Sequence, residues 1–221
     1  MIAALLAALL AYLPSSTSLV KRAAARVSGG ARSREVSFTG RLTVRGEPPR
    51  AARLIARFPF SCRLEGDGGL SLAVKGTVEK PVDAADGSPA GRLLQLACPL
   101  IAYRGLKADE AEQALRAAAV MIGVDLNAPA ALSRLVDRVV YALGGANGPQ
   151  LWLYKDTNAP ARLITQDADL RLLQYGNPAA AEWFPRVLEL WTDGQLAAKL
   201  EVLEERGMRV TGEEEEYSRP E

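Results

Sequence analysis

The sequence predicts a mainly β chain, a curled antiparallel sheet of about eleven strands with helices over its mouth. Three observations point there. Apolar and polar residues alternate with period two through most of the chain after residue 34, short Gly- and Pro-rich turns separate the alternating stretches, and two stretches carry helical spacing instead. Strands joined by such short turns form a meander, because parallel pairing needs long crossovers. A flat sheet of that size would leave hundreds of Å² of apolar face in water, so it has to curl.

The chain opens with "MIAALLAALLAYL", an uninterrupted apolar run of 12 residues from Ile2 to Leu13, followed by small polar residues up to Ser18. The run is short for a membrane span and suits a secretory signal cleaved after Ser18. No Lys or Arg precedes it, whereas Lys21, Arg22 and Arg26 follow, the reverse of the usual order. An uncleaved anchor and an ordinary buried N-terminal helix are the alternatives; export is preferred. A short helix is expected over residues 18 to 27, "SLVKRAAARV".

In "EVSFTGRLTVR", Val36, Phe38, Gly40, Leu42 and Val44 share one face and Glu35, Ser37, Thr39, Arg41, Thr43 and Arg45 the other. "AARLIARF" repeats the pattern, with Ala52, Leu54, Ala56 and Phe58 opposite Arg53 and Arg57; "LSLAVK" repeats it through Leu70, Leu72 and Val74. The expected strands are residues 35 to 45, 51 to 59, 62 to 65, 70 to 78, 92 to 97, 136 to 143, 150 to 155, 161 to 166, 169 to 175, 186 to 192 and 195 to 203. "KADEAEQALRAAAVMIG" instead spaces Ala111, Leu115, Ala118 and Ile122 as a helix, begins with acidic residues and stops at Gly123. "TGEEEEYSRPE" has no apolar pattern and four consecutive Glu, so residues 206 to 221 are expected to be a disordered tail.

One stretch resists the alternation. In "LWLYKDTNAPARLI", residues 151 to 164, Leu151 and Leu153 point one way and Trp152 and Tyr154 the other, so this hairpin is apolar on both faces.

Much chemistry is excluded by composition. The 221 residues contain no histidine and two cysteines, which removes the usual triad base and the donors of a structural zinc site. No G-x-G-x-x-G, Walker A or G-x-S-x-G motif is present, so neither a cofactor nor a metal is implied and enzymatic activity is disfavoured. The net charge of +1 divides into +8 over residues 1 to 57 and −7 beyond. Those arginines alternate with apolar residues, which reads as a solvated strand face rather than a nucleic-acid surface. Cys62 and Cys98 either close one disulfide around a loop of about 35 residues, in an oxidising compartment, or stay two separate buried thiols.

The hairpin 151 to 164 resembles that of LolA/LolB-type lipoprotein carriers and their outer-membrane lipoprotein-sorting relatives, in which an apolar strand ending in a Trp-containing triplet meets a Lys-Asp turn and a proline leads onward. "SFTGRLTV" is similar to the family's first strand, "ARLIARFPFSCRLE" to the strand, proline and strand that follow, and "WFPRVLEL" to a late strand of the sorting branch. The resemblance covers roughly residues 19 to 205, with residues 1 to 18 as the signal or apolar segment. It implies an incomplete, half-open antiparallel β-barrel with a helical lid, rather than the closed lipocalin-like barrel that is the other candidate.

The resemblance also implies a periplasmic or envelope protein of a Gram-negative bacterium, holding the acyl chains of a lipoprotein or similar lipid, with envelope membrane proteins as partners. The expected apolar lining includes Val36, Phe38, Leu42, Leu54, Phe58, Leu70, Leu72, Val74, Trp152 and Tyr154. The alternative use of these residues is a filled core, since small barrels are normally packed solid. Carriers of the family commonly place an arginine just before the proline of the second strand. Here Phe58 precedes Pro59 and Arg57 falls on the opposite face, so that role is not carried over. A different class of function, an envelope sensor or scaffold binding a protein partner, is the alternative.

Overall fold

The computed structural model describes residues 13–25, 33–57, 61–76, 87–175 and 184–209. Eleven strands form one antiparallel sheet: β1 Ser33–Val44, β2 Arg50–Arg57, β3 Ser61–Gly66, β4 Leu70–Lys75, β5 Ala131–Leu135, β6 Arg138–Leu143, β7 Gln150–Tyr154, β8 Pro160–Ile164, β9 Asp169–Tyr175, β10 Pro185–Thr192 and β11 Gln195–Arg209. Their spatial order is β4-β3-β2-β1-β11-β10-β9-β8-β7-β6-β5, two meanders joined where β1 pairs with β11. The sheet stays open, since β4 and β5 lie at its two ends and do not pair with each other.

Between those end strands the chain makes two of its three described helices, α2 Pro89–Ala102 and α3 Ala108–Met121; α1 is Ser16–Ala25. The expected signal boundary at Ser18 falls inside α1, where Ser16 is already buried and its Oγ donates to the Ala128 carbonyl at 2.8 Å. The apolar run before residue 13 and the acidic stretch after 209 lie outside the described residues. β11 continues to Arg209, four residues into the expected tail. Among the described residues no helix is long and apolar enough to cross a membrane.

The main departure from the sequence expectation is α2. Residues 92 to 97 are helical, and the eleventh strand is instead β5. "RLLQLACPLIA" is apolar on nearly every side, so it has neither a period of two nor a clean amphipathic stripe; such runs are ambiguous without their flanks. The flank decides it: the Ser88 Oγ accepts from the Gly91 N–H at 3.0 Å and Pro89 stands at the start of the helix. β5 carries no alternation in the sequence because it is an edge strand and mostly exposed.

A helix apolar all round belongs inside a core. α2 packs against β2, β3, β4, β9, β10 and β11, so strands from distant parts of the sheet wrap it. Val36, Phe38, Leu42, Leu54 and Val74 meet Leu93, Leu94, Leu100 and Ile101 there in one continuous core. α1 and α3 pack on each other, and their buried residues, among them Leu19, Val20, Ala111 and Leu115, belong to the same core. Cys62 on β3 is bonded to Cys98 on α2, with Cα atoms 5.9 Å apart, so the open choice between disulfide and thiols resolves as a disulfide pinning the helix to the sheet.

One irregularity explains an exposed leucine. Thr39 faces Glu204 but Gly40 faces Val202, so Leu203 is an extra residue on β11 and, at 76% exposure, points away from the core. A Cβ on Gly40 would lie 2.0 Å from the Glu201 carbonyl oxygen, an approach only glycine permits. Gly40→Ala is therefore expected to destabilise the protein by about 3 kcal/mol, read from urea melts. The disulfide closes a span of 36 residues. Replacing both cysteines by alanine should cost roughly 3 to 4 kcal/mol on the chain-entropy account, again visible in urea midpoints under non-reducing conditions.

Candidate functional site

Alternation along β6 to β10 assigns each side chain to the helix-covered face or to the outer one. Leu151 and Leu153 join the main core, while Trp152 and Tyr154 form a second cluster with Val140, Ala142, Ala159 and Ala161 on the outer face. Among the described residues, guanidinium groups rather than a helix cover Trp152 and Tyr154. Arg162 lies 4.5 Å from the Trp152 ring centroid and Arg138 4.1 Å from that of Tyr154, leaving Trp152 only 8% exposed. The hairpin 151 to 164 is thus apolar on both faces because arginine planes replace water on one of them.

Arg162 belongs to a cross-strand row. Trp152, Arg162, Arg171, Glu189 and Lys199 are successive register partners over five strands. Asp169 accepts from both Arg162, at 2.7 and 2.8 Å, and Arg171, at 2.9 and 3.1 Å, and Arg171 lies over Trp191. Burial alone would raise the Asp169 pKa, but the hydrogen bonds from Arg162 and then Arg171 outweigh it and hold the carboxyl below its ordinary value. Tyr154, whose hydroxyl donates to the Leu172 carbonyl at 3.1 Å, is pushed up to about 12 by burial, against the opposing charge of Arg138. Every partner here is satisfied, so the face reads as a clamp rather than a site.

The open space lies on the other side of β7 and β8. A cleft of about 290 Å³ separates them from α2 and α3. Its floor is Leu151 and Leu163, direct cross-strand partners; its walls are Leu96, Pro99 and Leu100 of α2 and Ala118, Met121 and Ile122 at the end of α3. Arg92, Gln95, Leu96 and Pro99 fall at the i, i+3, i+4, i+7 spacing that puts them on one stripe of α2. The opposite flank of that helix carries Cys98 and its bond to β3.

The rim is polar. Arg92 Nη2 donates to both carboxylate oxygens of Asp167, at 2.9 and 3.1 Å, spanning from the first turn of α2 to the β8–β9 turn, and Nη1 donates to Gln95 Oε1 at 2.9 Å. Thr165 Oγ1 donates to Asp167 Oδ1 at 2.7 Å and accepts the Ala168 N–H at 3.0 Å, which fixes the turn. The Thr165 hydrogen bond, and then Arg92, hold the Asp167 pKa below the usual carboxylate value despite partial burial. The cleft can grip an apolar chain and hydrogen-bond whatever ends it. Among the described residues no three His, Cys, Asp or Glu side chains gather as metal ligands.

None of the nine described residues among the ten expected to line a cavity borders this cleft. Val36, Phe38, Leu42, Leu54 and Val74 are buried in the same core as α2, Leu70 and Leu72 are half-buried against that core, and Trp152 and Tyr154 lie on the outer face. Phe58 is outside the described residues; Arg57 faces solvent and pairs with Glu35 on the neighbouring strand. The cleft residues were hidden by reading 92 to 97 as a strand. Once the segment is helical, the 92/95/96/99 stripe is visible in the sequence.

Asp169→Asn is expected to cost roughly 2 kcal/mol at neutral pH, because two half-buried arginines lose their shared acceptor. Since the folded pKa is the lower one, this stabilisation is present above the unfolded value of about 3.9 and fades as pH falls through the folded value. Urea melts of the two proteins should therefore converge as the pH is lowered below the ordinary carboxylate range.

No protein-family model and no curated protein matches the chain. Similar solved structures include a LolA superfamily protein from Nitrosomonas europaea, at 9% identity over 91% of this chain and 96% of that one, with a TM-score of 0.43. Another is an outer membrane lipoprotein-sorting protein domain from Vibrio parahaemolyticus, at 12% identity over 90% and 94%, with a TM-score of 0.49. A DUF1329 family protein from Desulfovibrio piger is 10% identical over 88% and 94%, with a TM-score of 0.48. Two of the three carry the name of the family that the sequence resembles.

Proposed function

We propose that the protein is a non-enzymatic carrier of the cell envelope that holds an acyl chain, from a lipoprotein or a similar lipid, in the cleft between α2, α3 and the β7–β8 hairpin. The observation that carries this is the cleft itself, with an aliphatic floor and walls, a polar rim and an open mouth. Chain burial there would supply roughly 0.8 kcal/mol per methylene before ordering costs. A disulfide between sheet and helix suits an oxidising compartment such as the periplasm.

The size of the cleft bounds the cargo. At about 290 Å³ it sits at the small end of ligand pockets, with room for one chain rather than several. The inward row of Val36, Phe38, Leu42, Leu54 and Val74 would line a larger chamber only if α2 moved away, and the Cys62–Cys98 bond opposes that movement.

A second reading, a scaffold for a protein partner, is favoured by the β5–β6 edge hairpin. Leu132, Val136 and Val139 are exposed there, and Val136, 80% exposed, holds φ at 56° in a turn position that favours glycine.

Native mass spectrometry of protein from an envelope fraction, before and after organic extraction, separates the readings. A carrier releases a mass of fatty-acyl size; a scaffold retains a non-lipidated protein. In vitro, the emission of Trp152 and Trp191 is a poor reporter because both face away from the cleft. Displacement of the neutral dye N-phenyl-1-naphthylamine by dodecanol is the better one. Ala118→Phe, which fills the cleft from α3, should weaken dodecanol binding at least about tenfold. Unchanged binding in a folded Ala118→Phe protein removes the cleft from the proposal.

A further inference from the structure

The rim of the cleft is more discriminating than its floor. Arg92 stands at its mouth with both Nη atoms engaged, but its Nε is buried and has no hydrogen-bond partner. Asp167 takes Nη2 with both of its oxygens and leaves Nε alone, so the Nε–Nη2 fork that suits a carboxylate or phosphate is half used. A buried donor left in this state is a standing demand for an acceptor. The first turn of α2 also carries no acidic side chain, so the positive end of its dipole adds to the guanidinium charge.

We propose that the cleft selects a single-chain amphiphile with an acidic head group, and that Arg92 receives this head by releasing Asp167. This rests on the reading of the cleft as an acyl-chain site and adds what stands at the end of the chain. An acid oxygen pair on Nε and Nη2 satisfies the orphaned donor as well as replacing the bond to Asp167. The exchange is easy, because the side chain of Asp167 is 68% exposed and that of Arg92 32%, and exposed ion pairs contribute little net stability. Once released, Asp167 keeps its hydrogen bond from Thr165 and its access to water. Gln95 holds Nη1 throughout, so the guanidinium stays aimed at the mouth. A neutral head has nothing to offer Nε that water does not, and a cationic one meets Arg92 directly.

The test uses the full chain, near neutral pH and below micelle-forming concentrations, with N-phenyl-1-naphthylamine displaced by dodecanol, dodecanoate or dodecyl phosphate. Wild type is expected to bind at least one of the acids about tenfold more tightly than the alcohol. The two acids together tell whether carboxylate or phosphate is the preferred source of the oxygens. Arg92→Gln should abolish the preference while dodecanol still binds. Asp167→Asn, which removes the competing charge but keeps an oxygen to accept from Thr165, should raise the affinity for acid relative to alcohol severalfold. Equal affinity for acids and alcohol in wild type, or a preference that survives Arg92→Gln, overturns the head-group assignment and leaves the acyl-chain cleft standing. Failure of all three ligands to displace the dye overturns both.

Discussion

The fold depends on the burial of one helix that is apolar almost all round. α2 has no polar face to turn to water, and a single sheet face or a single neighbouring helix could not cover it. Only a sheet that wraps it does so, which is why β2, β3, β4, β9, β10 and β11 all touch the same fourteen residues. The helix in turn keeps the sheet open. It sits on the connection between the two end strands, so β4 and β5 are joined through helices rather than by a ladder of hydrogen bonds. The disulfide to β3 fixes one flank of α2, and the cleft runs along another.

That asymmetry gives the cleft a rigid side and a yielding side. The rigid side is the β7–β8 hairpin, whose outer face is tied down by stacked guanidinium groups and the carboxylate of Asp169 between two of them. Leu151 and Leu163 project from the inner face of the same strands, so the row that shields Trp152 also holds the cleft floor in place. The yielding side is the mouth, where helix and turn are linked by a solvent-exposed ion pair instead of packed side chains. For the proposed amphiphile the mouth past Arg92 and Asp167 would be the easiest entry, with the cross-linked flank undisturbed.

Much of this was legible in the sequence. Strict alternation placed Val36, Phe38, Leu42 and Val44 inward and put Arg41, Arg53 and Arg57 in solvent, because a pleated strand leaves each side chain a choice of two faces. α3 was legible from its spacing and acidic start, and the double-sided hairpin was legible as an anomaly. The residues of the cleft were not, since a stripe on α2 has no meaning while its segment is taken for a strand. Nor could Trp152 and Tyr154 be assigned a cover, as the arginines that shield them lie on a turn-separated strand and at the start of another.

The sequence by itself determined what repeats locally: a mainly antiparallel β chain of about eleven strands, its inward rows, its solvated arginine face and its lack of histidine. Tertiary structure decided what depends on residues far apart in the chain. It joined Cys62 to Cys98, closed Arg92 onto Asp167 across 75 positions, made Leu203 a bulge opposite Gly40, and set α2 in the curl of the sheet. The reason is that periodicity reports which face of an element is apolar, whereas the size and place of a cavity depend on which apolar faces meet and how completely they fill one another.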